Sequence, residues 1–473
     1  TSITGKVYDP AGKNPLYNVA VYVPATPLQP LPKGVPTGPD ACSCAALFKS
    51  GALTSTITGV DGSFTLSNVP IGSKVPLVLQ VGKWRRSLQV NVASCQNNAQ
   101  PDKSLTLPGT VMGTDDNMPD IAVSTGGADT LECLMTRIGL PASEYVAGAG
   151  GTGHVHVFSG GQTLAGLFPL PGAGGMAEQP PMPGAPASYQ SLWDSVQHMM
   201  PYDITLLSCE GDETYNANPP VLEQYLNAGG RAFASHFHYA WFAGPYATMQ
   251  NYQAPQDWGN NLATWGGANG GLGGTGGPGG SGGPGGGLGG GAGVCGGGAI
   301  GGVVDQTLNG SSMAFPKGQA LQQWLGVVGA LGQGGVPMTE LAIYQPRYDA
   351  VVGPNNKASQ PWITSDNSGM AGQTMYFSFD TPVNNNPPPP GPDPSGGPIY
   401  CGRAVFSDLH VAGAPAGGGG GGACEDTPPP PGGCANVDLS PQEKALEFML
   451  FDLSSCVIPD TVAPPVVVPN PPQ

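Results

Sequence analysis

Charge is scarce in this chain. Only 10% of its 473 residues are Asp, Glu, Lys or Arg, and 16 Lys and Arg face 32 Asp and Glu, for a net charge of -16. A surface so poor in cations cannot neutralise phosphates, which excludes nucleic acid as a partner. No run of 18 apolar residues is present, so no segment of the sequence reads as a transmembrane helix. Paired C-x-x-C motifs of zinc-site spacing are also lacking.

What is abundant is backbone without structure of its own: 77 Gly and 52 Pro make up more than a quarter of the 473 residues, and both weaken helices and strands. The excess is concentrated in a block from Gly266 to Gly302, whose centre, Gly270 to Gly287, reads as consecutive Gly-Gly-X triplets. A glycine period of three suits an extended left-handed helix of the polyproline II type, which must give its amides and carbonyls to neighbours. The block is therefore expected to serve as a packing device between copies of the chain. Pro-rich stretches at Asn384 to Pro398 and Val462 to Gln473, and a hexaglycine at Gly417 to Gly422, extend the bias.

The ten cysteines, Cys42, Cys44, Cys95, Cys133, Cys209, Cys295, Cys401, Cys424, Cys434 and Cys456, are even in number and scattered. They are expected to form disulfides in an oxidising compartment, with the pairing open. The first residue is Thr1, not Met, and removal of a signal sequence is expected, which places the protein outside the cell or on its surface.

Residues 1–108 alternate with period two, as in Ile3-Thr4-Gly5-Lys6-Val7 and Val19-Ala20-Val21-Tyr22-Val23, with turn signals at Asp9-Pro10 and Asp61-Gly62. This pattern predicts an antiparallel β-sandwich. Trp84-Arg85-Arg86 is read as a solvated strand or a recognition patch. After a linker at 109–119 the rhythm becomes strand, turn, helix, which predicts a parallel sheet with helices on both faces, a doubly wound α/β domain. Its first part is assigned to 120–265 and its second to 303–458, interrupted by the glycine-rich insert 266–302 and followed by a tail at 459–473. A single helix is expected over Tyr189 to Met200, another over Lys317 to Leu331, and a last one over Pro441 to Leu453, opened by the capping box Ser440-Pro441-Gln442-Glu443.

In such a sheet ligands bind beyond the carboxyl ends of the strands. The residues following each predicted strand are Thr125-Gly126-Gly127 with Asp129, then Ser208-Cys209-Glu210, then His236-Phe237-His238, then Asp408-Leu409-His410. Glu210, His236, Asp408 and His410 are the catalytic candidates, and His236, His238 and Glu210 the candidate ligands of a divalent metal, the one cofactor considered. His236 and His238, two apart, share a face if the chain stays extended there.

Pro15 to Val21, Asp61-Gly62-Ser63-Phe64-Thr65-Leu66 and Val69-Pro70-Ile71-Gly72, together with Ile3 to Val7, resemble the carboxypeptidase regulatory-like, transthyretin-like domain. The resemblance implies an accessory sandwich without catalytic residues. Tyr202 to Ser208, Ala228-Gly229-Gly230-Arg231, Ser235-His236 and Gly402-Arg403-Ala404-Val405-Phe406 resemble the class I glutamine amidotransferase-like superfamily, in particular its trehalose-utilisation-type branch. Active members carry a Cys nucleophile in a Gly-x-Cys-x-Gly elbow and a His and Glu on the late strand. Here His236 stands at the nucleophile position between Ala234 and His238, and no His-x-Glu follows Phe406, so the resemblance implies a degenerate scaffold. The whole chain resembles exported bacterial proteins that join these two domains.

The expectation is a non-catalytic, self-assembling surface protein, a filament, sheath or surface layer, whose partners are other copies of itself and cell-surface glycans. The alternative is a metal-dependent enzyme or carbohydrate-binding protein using the carboxyl rim of the sheet.

Overall fold

The computed structural model describes residues 1–126, 129–160, 186–210, 214, 216–243, 254–265, 299–344, 346, 348–366, 372–383, 400–411 and 438–464. The glycine block from 266 to 298, the Pro-rich stretch at 384–399, the hexaglycine and the tail from 465 lie outside the described residues.

The alternating N-terminal sequence forms β1 (Ser2–Tyr8), β2 (Ala20–Pro24), β3 (Ala52–Ile57), β4 (Ser63–Ser67), β5 (Gly72–Val81), β6 (Trp84–Val92), β7 (Asn97–Ala99) and β8 (Leu105–Thr106). One sheet, in the order β3-β2-β5-β6, is antiparallel throughout. The other is mixed: β4 runs antiparallel to β1, while β7 and β8 run parallel to it. Gly82, at φ +55°, supplies the positive dihedral that a two-residue hairpin between β5 and β6 demands. A Cβ there would also strike the Ser454 carbonyl, so the hairpin is pressed against the end of the chain's last helix.

A ten-stranded sheet follows, built from β9 (Ile121–Ser124), β10 (Tyr145–Ala147), β11 (Val155–Phe158), β12 (Ile204–Leu207), β13 (Arg231–Ser235), β15 (Ile300–Val304), β16 (Leu341–Ile343), β18 (Ser359–Ser365), β19 (Thr374–Thr381) and β20 (Gly402–Ser407). Two further short strands, β14 (Thr264–Trp265) and β17 (Ala350–Val351), pair separately. The order is β10-β11-β9-β12-β13-β20-β19-β18-β15-β16. Strands from β10 through β20 are parallel, and from β20 onward each pair is antiparallel. The sheet is therefore mixed, not parallel as the alternation predicts. The segment from Asp366 to Gln373 is too short for the crossover of a dozen or more residues that a parallel β18–β19 pair needs. Ile300 to Gly302, read in sequence as the end of the glycine block, belong to β15.

Helices cover the sheet. The stretch expected as one helix over Tyr189 to Met200 is two short ones, Gln190–Trp193 and Val196–Met199, broken where Ser195 is extended at φ -151°, ψ 152°. Pro316–Val327 stops short of Leu331, with Gly329 at φ +65° just past its end. The final helix, Pro441–Ser454, carries both reciprocal bonds of its capping box: Glu443 N donates to Ser440 Oγ and Ser440 N to Glu443 Oε2.

The sandwich and the sheet share one hydrophobic core, in which Ile3, Val7, Leu77 and Trp84 join Ile121, Leu206, Val405 and Leu446. Trp84 is the hinge of that union. Fully buried, it lies 5.7 Å from Phe451 and donates through Nε1 to Ser454 Oγ at 3.2 Å, so it is neither a solvated strand residue nor a surface patch. The linker is tied down as well. Arg85 and Asn117 exchange both backbone bonds, and Ser87 N donates to Asp116 Oδ1 at 2.9 Å. Disulfides Cys42–Cys401 and Cys44–Cys456 clamp the loop after β2 to the sheet and to the segment following the last helix. Among the described residues no helix is long and apolar enough to cross a membrane.

Candidate functional site

β9, β12, β13 and β20 lie side by side and run in the same direction, so the four segments that leave their carboxyl ends are neighbours. Close approach is enforced at Gly126, where a Cβ would collide with the carbonyl oxygens of Ser208 and Cys209. Asp129 N donates to Cys209 O at 3.2 Å, which fastens the first segment to the second.

His236 opens the segment after β13 at φ +54°, a left-handed conformation that a non-glycine residue adopts at a cost. That turn separates the two histidines, which were expected to face the same way. His236 directs Nδ1 to within 3.7 Å of Cys209 Sγ and stacks on His410, with ring centroids 3.8 Å apart and planes at 16°. His410 Nδ1 lies 3.5 Å from Asp129 Oδ2, and that same oxygen accepts a 2.5 Å hydrogen bond from Ser235 Oγ. Asp129 is fully buried. Gln442, at the start of the final helix, donates to His410 O at 2.5 Å and accepts from Tyr344 N at 2.7 Å, which holds the last rim segment in place.

His238 points elsewhere. Its Nδ1 bonds Leu207 O at 2.8 Å and its Nε2 bonds Glu210 Oε2 at 2.6 Å. Burial works against charge on this ring. The Glu210 carboxylate, the Leu207 carbonyl and Asp129 outweigh it, and the His238 pKa is raised. Both ring nitrogens are committed, so the expected ligand set of His236, His238 and Glu210 does not assemble: Glu210 and His238 form a buried ion pair of their own, closed by Thr214 Oγ1 at 2.9 Å from Glu210 Oε2. Asp408 is engaged with a neighbouring loop. Its Oδ2 accepts the backbone N–H groups of Asp349 and Ala350, a loop-anchoring role. Deeper in, burial and then the nearby Asp129 push Glu132 up to about 8.

Two disulfide expectations are overturned. Cys95 and Cys209 are not disulfide-bonded. Cys95 is exposed in a left-handed turn, while Cys209 is buried with an imidazole, not a second sulfur, beside it. Cys133 is bonded, and Cys295, Cys424 and Cys434 lie outside the described residues. An even count invites the pairing of every cysteine, so Cys209 as a thiol was not legible from the number. Asp129 stands in the segment after β9, yet nothing in its local pattern marks it as the carboxylate behind His410. The remaining strand histidines serve the fold: His154 bonds Glu144 at 2.6 Å and His156 bonds Gly148 O at 2.8 Å.

The assembled rim thus presents a thiol, two stacked imidazoles, a carboxylate behind one of them and a separate imidazole–carboxylate pair. No protein family, curated protein or solved structure matches the chain.

Proposed function

We propose that this protein is an exported enzyme of the hydrolase type, acting at the carboxyl rim of its mixed sheet. Cys209, His236 and His410 form the reacting centre, Asp129 orients His410, and the Glu210–His238 pair flanks the centre. The observation that supports the reading is convergence: four segments far apart in sequence bring these groups together within hydrogen-bonding or stacking distance. Residues whose task is only to fill a core do not need a buried thiol, three imidazoles and two carboxylates in one place.

The scaffold reading goes with it. A left-handed residue directly after a central parallel strand, ahead of a helical turn, is the backbone geometry of a nucleophile elbow. His236 occupying that turn supports descent from an amidotransferase-like, doubly wound domain whose chemistry has changed. Disulfides across the described parts of the chain agree with an extracellular setting.

The test is turnover of a panel of chromogenic esters, amides, phosphoesters and glycosides by the full chain, beside Asp129→Asn and His410→Ala. Hydrolysis of at least one substrate class, lost in both folded variants, supports the reading. No turnover of any class, or turnover indifferent to both substitutions, overturns it.

A second reading, self-association into a filament or surface layer, draws on the Gly-Gly-X sequence. That block lies outside the described residues, whereas the sandwich packs on its own chain through Trp84 and the two disulfides. Sedimentation velocity over a wide concentration range decides it: a strictly monomeric chain rules the assembly out.

A further inference from the structure

The geometry points to a metal site that the sequence-based choice of ligands missed: Cys209, His236 and His410 as three protein ligands of a zinc-class transition-metal ion, with a fourth position open. The inference rests on the rim being a reacting centre and gives that centre its cofactor.

One ligand atom from each of the three residues falls within 4.8 Å of the other two. The firmest pair is Cys209 Sγ and His236 Nδ1, 3.7 Å apart. In a tetrahedral zinc centre, with Zn–S about 2.3 Å and Zn–N about 2.05 Å, the sulfur and nitrogen stand about 3.6 Å from each other. The two atoms are already at coordination spacing. His410 is held from behind, because Asp129 Oδ2 faces its Nδ1 at 3.5 Å and leaves Nε2 for the ion. A carboxylate on the far nitrogen is the usual support of a metal-bound imidazole: it fixes the ring and makes it a better donor. Ser235 Oγ in turn fixes the carboxylate.

Donor type narrows the ion. One thiolate and two imidazoles are poor partners for calcium or magnesium, which take oxygen, and good ones for zinc or its neighbours. Three protein ligands, not four, are the pattern of catalytic zinc, whose remaining position takes water and lowers its pKa towards neutrality.

The stacked rings set a requirement. Stacked rings whose planes lie within 16° of parallel and whose centroids are 3.8 Å apart cannot both contain one ion in their planes, so metal binding must turn one imidazole out of the stack. His410, with 14% of its side chain exposed, is the ring placed to turn, pivoting on its Nδ1 contact with Asp129 so that the carboxylate still backs it.

The experiment uses the full oxidised chain, purified without chelators, with zinc measured by elemental analysis and the zinc then exchanged for cobalt(II). The expected result is one zinc per chain, and a cobalt derivative with a strong near-ultraviolet thiolate-to-metal charge-transfer band. That band disappears in Cys209→Ala and persists in Cys95→Ser, the control thiol. His410→Ala and Asp129→Asn should weaken zinc binding, the latter about 10- to 100-fold as for other outer carboxylates. X-ray absorption of the unaltered zinc protein needs no variant and should show one sulfur and two nitrogens. No zinc or cobalt uptake by the folded wild-type chain overturns the site, as does a charge-transfer band that survives Cys209→Ala or a first shell without sulfur. Zinc bound with this shell but no turnover of any substrate keeps the metal site and removes the enzyme; turnover by a metal-free chain does the reverse.

Discussion

Replacing Glu447 by glutamine should flatten the pH dependence of stability. Glu447, on the final helix, and Asp9, in the turn after β1, are 0% and 1% exposed where sandwich and sheet meet, and Asp9 Oδ2 and Glu447 Oε1 have no hydrogen-bond donor. Asn14 Nδ2 donates to Glu447 Oε2 at 2.7 Å, and Lys13 N to Asp9 Oδ1 at 2.7 Å. The charged side chains nearest the pair are otherwise engaged: Lys444 Nζ bonds Val328 O, and Lys13 Nζ bonds Asp438. Burial, then the charge of Asp9, hold the Glu447 pKa well above the ordinary glutamate range; burial also raises Asp9. In the unfolded chain both carboxyls give up their protons near pH 4. The folded chain retains one that the unfolded chain has lost, so this stabilisation is complete below the unfolded pKa and fades as pH rises toward the folded one. For one retained proton the slope is about -1.4 kcal/mol per pH unit.

Glutamine at 447 keeps the shape, can donate to Asp9 and accept from Asn14, and does not titrate. Guanidinium unfolding of both proteins with disulfides intact, at about pH 5, 6 and 7, should therefore show wild type losing stability faster than Glu447→Gln by about that slope. Other buried carboxyls, such as Asp305, pushed up to about 6, tilt both proteins the same way, so the difference in slopes isolates the pair. Parallel lines would refute a shared proton at this interface.

Trp84→Ala should cost about 3–5 kcal/mol in the same unfolding assay, because it removes a fully buried indole that packs on Phe451 of the final helix. Asn309→Asp should destabilise more than Asn309→Ala in thermal melts: Asn309 Nδ2 donates to the carbonyls of Gly353, Asn356 and Ser359, and a carboxylate there faces three acceptors with no proton to offer. Ser440→Ala should lose about 0.5–2 kcal/mol through the capping box alone, and more if the Glu443 pairing with Arg137 is disturbed; Arg137→Met read in a double-mutant cycle with Ser440→Ala separates the two.

Much of the architecture was legible where local chemistry points one way. The β-branched runs at Val19 to Val23 and at Leu77 to Val81 mark strands, here buried on both faces, and Ser440 with Glu443 marks a helix start. Strand direction was not legible. Ile204 to Leu207 and Met375 to Phe379 are buried on both faces alike, and only chain connectivity makes the first parallel and the second antiparallel to its neighbour. β15 hid inside the glycine block because Gly301 and Gly302 look like more of it; in the fold a Cβ at Gly302 would press on Ile343 and Ile363. At the rim, reading His236 and His238 as facing together assumed extended backbone, and one left-handed residue sends them apart. Trp84 beside two arginines reads as surface in sequence, since the helix that covers it lies more than 350 residues downstream, at Ser454.

The core that runs from sandwich into sheet limits how this chain can be altered. Neither half is a portable cassette: excising residues 1–108 would strip Phe448 and Phe451 of their cover and leave Cys401 and Cys456 without mates. Shuffling of the two parts in evolution would have had to carry the helix Pro441–Ser454 along with the first strands, although they stand far apart in the sequence.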